Sequence, residues 1–417
     1  MAKQTINPGI APTGAGGDTF RSGSAKLQAN DDELYAHLGA PDGTLTVPKT
    51  RTALGIESNK SELTILIKDS LRQSVESASG GEQTVLYTAK GQPTYMNIIK
   101  KFDMSTIDPS LSGTHPAFVV NGKEKPEIFI GTYQGVAVNG ELLSLPNVDP
   151  RASLNFNNFS TYARAGGAGH HLMTNAEWSA IALQCFKDNK QPMGNTYYGR
   201  SSENPLLIGR RADGLNPGDT SGSARTLTGS GPVEWRHNGK ENGIADLAGN
   251  VWEWSAGMRL MNGEIQIIAD NNAALHTIDL SETSEQWKAI DGATGNLVTP
   301  NGNGTTAGTV KFANSGTADY TINGSSFGAI RNLSTTAPVS AAALAVLKAL
   351  CIYPVVEDTG KFNGDGLWKA INAGECTAVR GGAWHYSTSS GVFALALDSA
   401  RSASRTNIGA RPAFVNL

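Results

Sequence analysis

The closing segment of the chain carries side chains suited to molecular recognition. Within residues 380–414, His385 and Tyr386 stand side by side, and Asp398 and Arg405 follow. Aromatic rings bury large areas on contact, while a carboxylate and a guanidinium add directional hydrogen bonds. Exposed on one surface, these residues would bind a ligand through an aromatic anchor with a polar rim.

Two other groups of residues have the chemistry of metal ligands. His170 and His171 are adjacent, so a metal site there would need distant ligands, and we expect capping or surface roles for them. Asp246, Asn250 and Glu253 lie close together in the sequence near a turn. Carboxylates near turns usually accept backbone N–H groups, so we favour hydrogen bonds that tie loops together over a metal site.

The three cysteines offer a third kind of chemistry. Cys185, Cys351 and Cys376 are far apart and have no CxxC spacing. This spacing argues against a zinc site and against a disulfide scaffold. Buried thiols are favoured, and a bridge between Cys351 and Cys376 is the alternative.

Composition limits the class of protein that must position these residues. The 417 residues fit two or three domains at ~100 to 200 residues each. With 48 glycines and only 17% charged residues, the chain is expected to be rich in turns and loops. A net charge of -3 argues against a nucleic-acid or membrane-surface role.

Two stretches of the sequence are considered as a possible secretion signal and a possible membrane span. The N-terminal stretch lacks the apolar run of a secretory signal, so we expect folding in a cytoplasm. The most apolar stretch contains Lys348 and is followed by Pro354, which indicates a buried helix running into a short strand and no membrane span.

The N-terminal region is expected to be helical. Asp18 is a candidate N-cap for a helix from about Thr19 to Leu38. Its apolar stripe would pack either on copies of itself in a homo-oligomer or on its own chain. The stripe consists of Phe20, Leu27, Leu34 and Leu38.

Three more helices follow from the apolar spacing. One is expected over about 61–78, with Asn59 and Glu62 as a capping box, and another over about 341–350. The third begins at a capping box formed by Thr174 and Glu177. Short β-rich pieces precede the third helix, and loops follow it. The expected regions are 1–40, 41–82, 83–259, an insertion at 260–375, and 376–417.

Two motifs indicate rigid framework. In "DLAGNVWEW", Gly249 and Asn250 fit a turn with positive φ, and Trp252 and Trp254 can anchor a core. Arg380 and Arg411 are expected to bond carboxylates or carbonyls. The other residues expected to be framework are Trp178, Gly381, Gly382, Trp384, Phe393, Asn407, Ile408 and Gly409.

Between the framework residues lie positions without any pattern. In "GVFALALD", Phe393, Leu395 and Leu397 alternate, so they should face the core while Ala394, Ala396 and Asp398 point the other way. The positions that mix size, charge and polarity freely are His385, Tyr386, Ser387, Ser389, Ala396, Asp398, Ser399, Ala403 and Arg405. We predict that these form the ligand-binding face.

Three pieces, "HHLMTNAEW", "GIADLAGNVWEW" and "VRGGAW...NIGARPAF", resemble one known domain. It is the formylglycine-generating, sulfatase-modifying type of C-type lectin fold, and the resemblance covers about residues 90–416. It implies an α+β protein with an inserted subdomain and a small helical N-terminal attachment region. The oxidases of that family depend on a cysteine pair near the C-terminal strands, but no cysteine follows Trp384 here. We therefore expect no enzymatic activity, cofactor or metal.

The closing segment also resembles the variable region of diversity-generating retroelement proteins. In that family, template adenines are copied unfaithfully, so asparagine codons become codons for His, Tyr, Ser, Ala, Asp or Arg. These are the residue types at the nine positions without pattern. The resemblance implies that the exposed positions are diversified while "GG-x-W", "GVFAL" and "NIG" stay fixed, although Ala383 and Ala410 depart from the usual residues.

The N-terminal stretch "GGDTFRSGSAKLQANDDELYAHLG" resembles a segment of tailed-phage structural proteins, with Asp18, Arg21 and Tyr35 among the matching residues. Together the resemblances imply a phage tail-tip or fibre adhesin, homotrimeric, that contacts other tail proteins through its N-terminal region and a bacterial receptor, protein or glycan, through its variable face. They imply no nucleic-acid partner and no membrane insertion. The alternatives are an oxidase on the same scaffold and a diversified cellular surface lectin.

Overall fold

The computed structural model describes residues 5–10, 15–38, 60–336, 338–355 and 364–417, without the side chains of 20 and 60–69. The chain divides into two compact units, Met1–Leu71 and Arg72–Leu417. The described part is a mixed structure of helix and sheet, mostly sheet, with five α-helices.

Helix α1 spans Phe20–His37 in the first unit. Its N-cap is Thr19, whose hydroxyl accepts a hydrogen bond from the Ser22 N–H at 3.1 Å. The predicted N-cap, Asp18, is wrong by one residue because its carboxylate is engaged by Lys26 at 2.7 Å and by the Asn7 N–H. Of the predicted stripe, Leu27 and Leu34 are more than half exposed, at 53% and 54%.

Helix α2 spans Lys60–Ser79, close to its predicted bounds. The predicted capping residue Asn59 lies outside the described residues. Near the C-terminal end, the Glu76 carboxylate accepts a hydrogen bond from the Thr84 hydroxyl at 2.6 Å, and the Arg72 guanidinium donates to the Val85 carbonyl at 2.9 Å. These bonds fix the last turns of α2 to the strand that follows.

Three helices lie in the second unit, α3 (Phe156–Arg164), α4 (Asn175–Lys187) and α5 (Ala341–Ala349). The strands are β1 (Gln83–Tyr87), β2 (Pro93–Lys100), β3 (Val119–Val120), β4 (Lys123–Glu124), β5 (Glu127–Gly131), β6 (Gly135–Val138), β7 (Glu141–Ser144), β8 (His170–Leu172), β9 (Trp252–Met261), β10 (Glu264–Ile267), β11 (Lys288–Ile290), β12 (Leu297–Val298), β13 (Lys311–Ala313), β14 (Thr321–Asn323), β15 (Phe327–Ala329), β16 (Ser334–Thr335), β17 (Gly366–Lys369), β18 (Glu375–Gly381), β19 (Gly391–Leu397), β20 (Ile408–Ala410) and β21 (Pro412–Phe414).

Two larger sheets organise the second unit. The first has five strands in the order β1-β2-β5-β21-β8. The second has twelve strands, with the path β15-β17-β19-β18-β9-β10-β13-β14-β16, while β20 pairs with β9 and β11 joins β10 to β12. Strands β3 with β4 and β6 with β7 form two small sheets.

The segment 260–375, expected as an insertion, extends the twelve-stranded sheet. It supplies β10 through β17, and β17 pairs in parallel with β19 of the closing segment. Its helix α5 covers Ala341–Ala349, one residue shorter than predicted. Consequently this segment reaches both edges of the sheet that carries the predicted binding face.

Helix α4 begins at the predicted capping box. The Glu177 N–H donates to the Thr174 hydroxyl at 3.1 Å, and the Thr174 N–H donates to the Glu177 carboxylate at 2.9 Å. The other carboxylate oxygen of Glu177 lies 2.8 Å from His171 Nε2. Both histidines are buried in β8, so a surface role is wrong for them. The other expected role, capping, agrees with the contact of His171 to the carboxylate of the capping box.

Strand β19 lies between two apolar cores. Phe393, Leu395 and Leu397 belong to the larger core, as predicted. Ala394 and Ala396 point the other way, as predicted, but both are buried in the second core. Successive side chains of β19 therefore enter different cores, because both faces of the sheet are covered by apolar side chains here.

None of the helices in the described ranges is both long enough and apolar enough to cross a membrane. All three cysteines are buried free thiols, as favoured from the sequence. Burial raises the pKa of Cys351 and of Cys376 to about 11, so both thiols are protonated at neutral pH.

Candidate ligand-binding face

Two consecutive glycines turn the chain out of β18 toward the predicted face. Gly381 and Gly382 have φ values of 92° and 88°. A Cβ on Gly381 would lie 2.8 Å from the Leu247 carbonyl oxygen, and one on Gly382 would lie 2.2 Å from Ser390 Oγ. Only glycine fits both the backbone conformation and the space at these two positions.

Arg380, the residue before these glycines, anchors the end of β18 in the protein interior. Its guanidinium is fully buried and donates to the side-chain oxygen of Asn175 at 2.9 Å and to the carbonyls of Leu350, Cys351 and Phe393. Burial lowers the pKa of Arg380 to about 10. Arg380 thus ties α4, the end of α5 and β19 to β18, the structural role expected for it.

Arg411 has a carboxylate partner instead. Its Nε and a terminal nitrogen donate to the two oxygens of Glu253 at 2.8 and 2.7 Å, and further bonds reach the carbonyls of Gly131 and Ala245. Desolvation raises the pKa of Glu253 despite this partner. The pair joins the closing segment to β9 and to the five-stranded sheet.

Asp246 and Asn250 tie loops together, as favoured from the sequence. Asn250 accepts from the Thr226 N–H at 2.8 Å and donates to Gln134 Oε1 at 2.7 Å. One oxygen of Asp246 accepts from the Gly229 N–H at 2.7 Å, and the other has no partner among the described residues. Burial raises the pKa of Asp246. Within the described ranges, no group of three His, Cys, Asp or Glu side chains could hold a metal ion.

The remaining framework residues are buried or close to it. Trp178 donates its indole N–H to the Val392 carbonyl at 2.7 Å, and the Trp252 N–H donates to the Asn407 carbonyl at 2.8 Å. Asn407 alone is half-buried. The buried members are Trp178, Gly249, Asn250, Trp252, Trp254, Arg380, Gly381, Gly382, Trp384, Phe393, Ile408, Gly409 and Arg411.

The first group of predicted binding residues lies at the turn before β19. His385 is exposed, and Tyr386, Ser387 and Ser389 are half-buried. Ser387–Ser389 forms a short 3-10 helix, and the Ser387 N–H donates to the Thr196 carbonyl at 2.9 Å. The backbone of this turn is therefore held while its side chains reach the surface.

Tyr386 belongs to a cluster of rings, which we call the aromatic cluster. It comprises His385, Tyr386, Trp252, Trp368 and Phe327. The centroid distances are 4.5 Å for His385 to Tyr386, 5.2 Å for Tyr386 to Trp368 and 5.6 Å for Tyr386 to Trp252. Phe327 stacks on Trp368 at 4.7 Å and is 54% exposed. The cluster thus runs from the buried core to solvent.

The second group of predicted binding residues follows β19. Asp398 and Arg405 are exposed, and Ala403 is half-buried against the second core. Two predictions are wrong here, since Ala396 and Ser399 are buried at 4% and 2% exposure. Ala396 is covered because it lies beside Trp368 in the β17–β19 register, and Ser399 accepts the Thr377 N–H through its carbonyl.

The two groups lie at different ends of β19. Residues 385–389 precede Gly391 and Asp398 follows Leu397, but Trp368 of the aromatic cluster pairs with Ala396, two residues before Asp398. The chain then returns: the Arg405 carbonyl accepts the Ile408 N–H, and Ile408 pairs with Trp252. Arg405 is therefore one turn from the β9–β20 pair that supports the aromatic cluster, and Asp398 comes directly after the β17–β19 pair that carries Trp368.

Sequence reasoning missed four residues beside this face. Trp368 and Phe327 come from the segment 260–375, and the apolar run around "GLWK" was the available signal for a strand there. Tyr197 and Arg200 lie in a loop that bonds the closing segment, since the Tyr198 N–H donates to the Trp384 carbonyl at 2.7 Å. Nothing in the local pattern of that loop indicated this contact.

The arrangement has the features of a recognition surface. It offers exposed rings for apolar contact and separate exposed polar groups, all set on a backbone held by buried glycines, arginines and tryptophans. In comparisons with known proteins, no family model and no curated protein matches this chain.

Proposed function

We propose that this protein is a receptor-binding adhesin of a phage tail tip or fibre, which displays a diversified ligand-binding face on a rigid C-type lectin scaffold. The observation that carries the proposal is the contrast within the closing segment. Residues expected to be fixed are buried, except the half-buried Asn407, while seven of the nine positions expected to vary, all but Ala396 and Ser399, are exposed or half-buried. A binding surface of this kind can change its contacts while the fold stays the same.

The proposed binding mode uses the aromatic cluster as its anchor. His385, Tyr386, Trp368 and Phe327 offer ring surface that a receptor would bury, and Trp252 supports them from below. Arg405 would add polar contacts at the rim. Substitution at 385 or 386 would change the receptor preference without removing a framework residue.

The proposed setting is the virion. The N-terminal region would attach the chain to other tail proteins, and a homotrimer would present several copies of the face. A small face binds weakly as a single copy, whereas multivalent display raises the effective affinity by about 10²-fold or more. The proposal includes no catalytic step and no cofactor.

The DNA downstream of the gene tests the proposal. We expect a near-copy of the sequence that encodes residues 380–411, next to a reverse transcriptase gene, with differences at adenines in the codons of the nine predicted positions. Differences that fall on Phe393, Leu395 or Ile408 would refute diversified binding, because these side chains are buried. Absence of any such copy would refute it too.

A further inference from the structure

The strongest unexplained surface lies in the loop 197–218, beside the aromatic cluster. Among the described residues, the large apolar side chains that are exposed in this loop are Tyr197 at 36%, Leu206 at 87%, Ile208 at 51% and Leu215 at 38%. A contiguous exposed apolar patch marks an interaction surface, whereas single exposed apolar side chains are normal on soluble proteins. We call this set the apolar wall.

Backbone pairing brings members of the wall together. Arg200 pairs with Tyr197 on one side and with Ile208 on the other in isolated antiparallel bridges. The Ser201 N–H donates to the Leu207 carbonyl at 3.0 Å, next to Leu206. Directly paired residues lie on the same side of a strand pair, so Tyr197, Arg200 and Ile208 share one surface.

The wall is held rigidly. The Arg211 guanidinium, fully buried, binds the Asp213 carboxylate at 2.7 Å and the Ser221 carbonyl at 2.6 Å. Asn195 accepts the Gly199 N–H at 2.7 Å and donates to the Ala224 carbonyl at 2.7 Å. A surface ordered before binding loses little conformational entropy when a partner arrives.

The wall adjoins the predicted variable positions. The Ser387 N–H donates to the Thr196 carbonyl, and the Tyr198 N–H donates to the Trp384 carbonyl, at 2.9 and 2.7 Å. Tyr198 packs on the second core, and its ring lies 5.3 Å from that of Tyr197. A partner large enough to cover the turn at 385–389 would also meet the wall.

Arg200 gives the wall a charge. Its guanidinium stacks over the Tyr197 ring at 5.2 Å and forms no ion pair with the described residues. Its Nε is buried without a hydrogen-bond partner within that part of the chain. An unpaired, partly desolvated cation between apolar side chains is complementary to a carboxylate set in an apolar patch.

We propose that the loop 197–218 is an invariant part of the receptor-binding face, and that the receptor is a protein with an acidic side chain among exposed apolar ones. This inference rests on the proposed function. Aliphatic Leu206 and Ile208 favour a protein partner over a glycan, because they offer neither a ring for stacking nor hydrogen bonds for hydroxyl groups. The variable positions would then adjust specificity around a constant contact.

The test uses the full chain and cell-envelope fragments of the bacterial strain on which the phage grows. Binding is measured by biolayer interferometry with fragments left untreated, digested with proteinase K, or oxidised with periodate. We expect digestion to reduce binding at least about 10-fold and oxidation to leave it within about twofold. The reverse result would overturn the inference by identifying a glycan.

Variants locate the contact. Leu206→Ser combined with Ile208→Ser should weaken binding about 10-fold, while Leu417→Ser, a matched exposed leucine at 60%, should leave it unchanged. Arg200→Gln should weaken binding and reduce its dependence on salt, since one charge pair is lost. Thermal unfolding checks that each variant is folded.

Two further variants separate this inference from the proposed function. If His385→Ser and Tyr386→Ser weaken binding but the loop variants bind like the wild type, the wall is not part of the face and the adhesin proposal stands. If the wild type fails to bind the fragments, or if the His385 and Tyr386 variants bind unchanged together with the loop variants, the adhesin proposal fails and this inference fails with it.

Discussion

Gly249 occupies a position that admits no other residue without movement of the backbone. Its φ is 75°, and a Cβ there would lie 2.1 Å from the Asn195 carbonyl oxygen. Asn195 in turn holds the start of the loop 197–218 through the Gly199 N–H. A single glycine therefore connects the "DLAGNVWEW" motif to the surface beside the aromatic cluster.

Substitution of Gly249 should be costly for this reason. Gly249→Ala combines a left-handed backbone, worth about 1–2 kcal/mol, with a clash against a carbonyl, worth about 1–3 kcal/mol. We expect a loss of about 3 kcal/mol in the free energy of unfolding, measured by urea unfolding followed by tryptophan fluorescence.

Gly239→Ala is the matched control. Gly239 has a similar φ of 67°, but an added Cβ would meet nothing within 4 Å. Its substitution should cost only the backbone term, about 1 kcal/mol. If the two variants lost the same free energy of unfolding, the close contact with the Asn195 carbonyl would not contribute to the cost of Gly249→Ala.

Between elements, the buried pair of Arg411 and Glu253 links the closing segment to β9. Both side chains are at most 2% exposed, and the two hydrogen bonds between them are 2.7 and 2.8 Å long. Breaking such a pair leaves an uncompensated charge in the interior. We expect Arg411→Ala to lower the free energy of unfolding by about 3–5 kcal/mol in the same urea assay.

The pair of Arg225 and Asp149 offers a control with similar geometry at the surface. Its N···O distance is also 2.7 Å, but the Asp149 side chain is 44% exposed. Solvent screens this pair, so Arg225→Ala should cost at most about 1 kcal/mol. If the two alanine variants lost the same stability, burial would not govern the strength of these links.

The sequence predicted elements whose determinants are local. The capping box of Thr174 and Glu177 and the turn at Gly249 and Asn250 were found because each depends on a few adjacent residues. The burial of Ala396 could not be predicted in this way, because it depends on Trp368, a neighbour on a parallel strand from a distant segment of the chain. Phe327 and Tyr197 were left out of the predicted binding face for the same reason, since they also come from segments distant in the sequence.

Across the whole second unit, contacts between distant segments hold the scaffold together. His115 is one example, since its Nε2 lies 2.9 Å from the Ala349 carbonyl at the end of α5, and its Nδ1 accepts the Ala117 N–H at 3.1 Å. This pattern assigns the proton to Nε2 and leaves the imidazole neutral. The ring thereby joins α5 to the region that precedes β3.

Burial lowers the pKa of His115, and also of His170 and His237, to about 4 from an ordinary value of 6.5. Between these two pH values the unfolded chain binds protons that the folded chain does not, so these groups make stability fall as the pH drops from about 6.5 toward 4. Each histidine contributes about 2 kcal/mol to the difference between pH 7 and pH 5. Buried Asp246 and Glu253, whose pKa values are raised, oppose part of this loss.

A single variant isolates the contribution of His115 from the others. His115→Asn keeps an acceptor for the Ala117 N–H but cannot be protonated, so it should be less stable than the wild type at pH 7 and should lose about 2 kcal/mol less between pH 7 and pH 5. Urea unfolding at the two pH values measures both quantities, and His37→Asn, on the exposed surface of α1, should behave like the wild type. If His115→Asn showed the full pH dependence of the wild type, the imidazole would not be neutral and buried in the folded protein, and the link that we assign to it between α5 and the β3 region would be wrong.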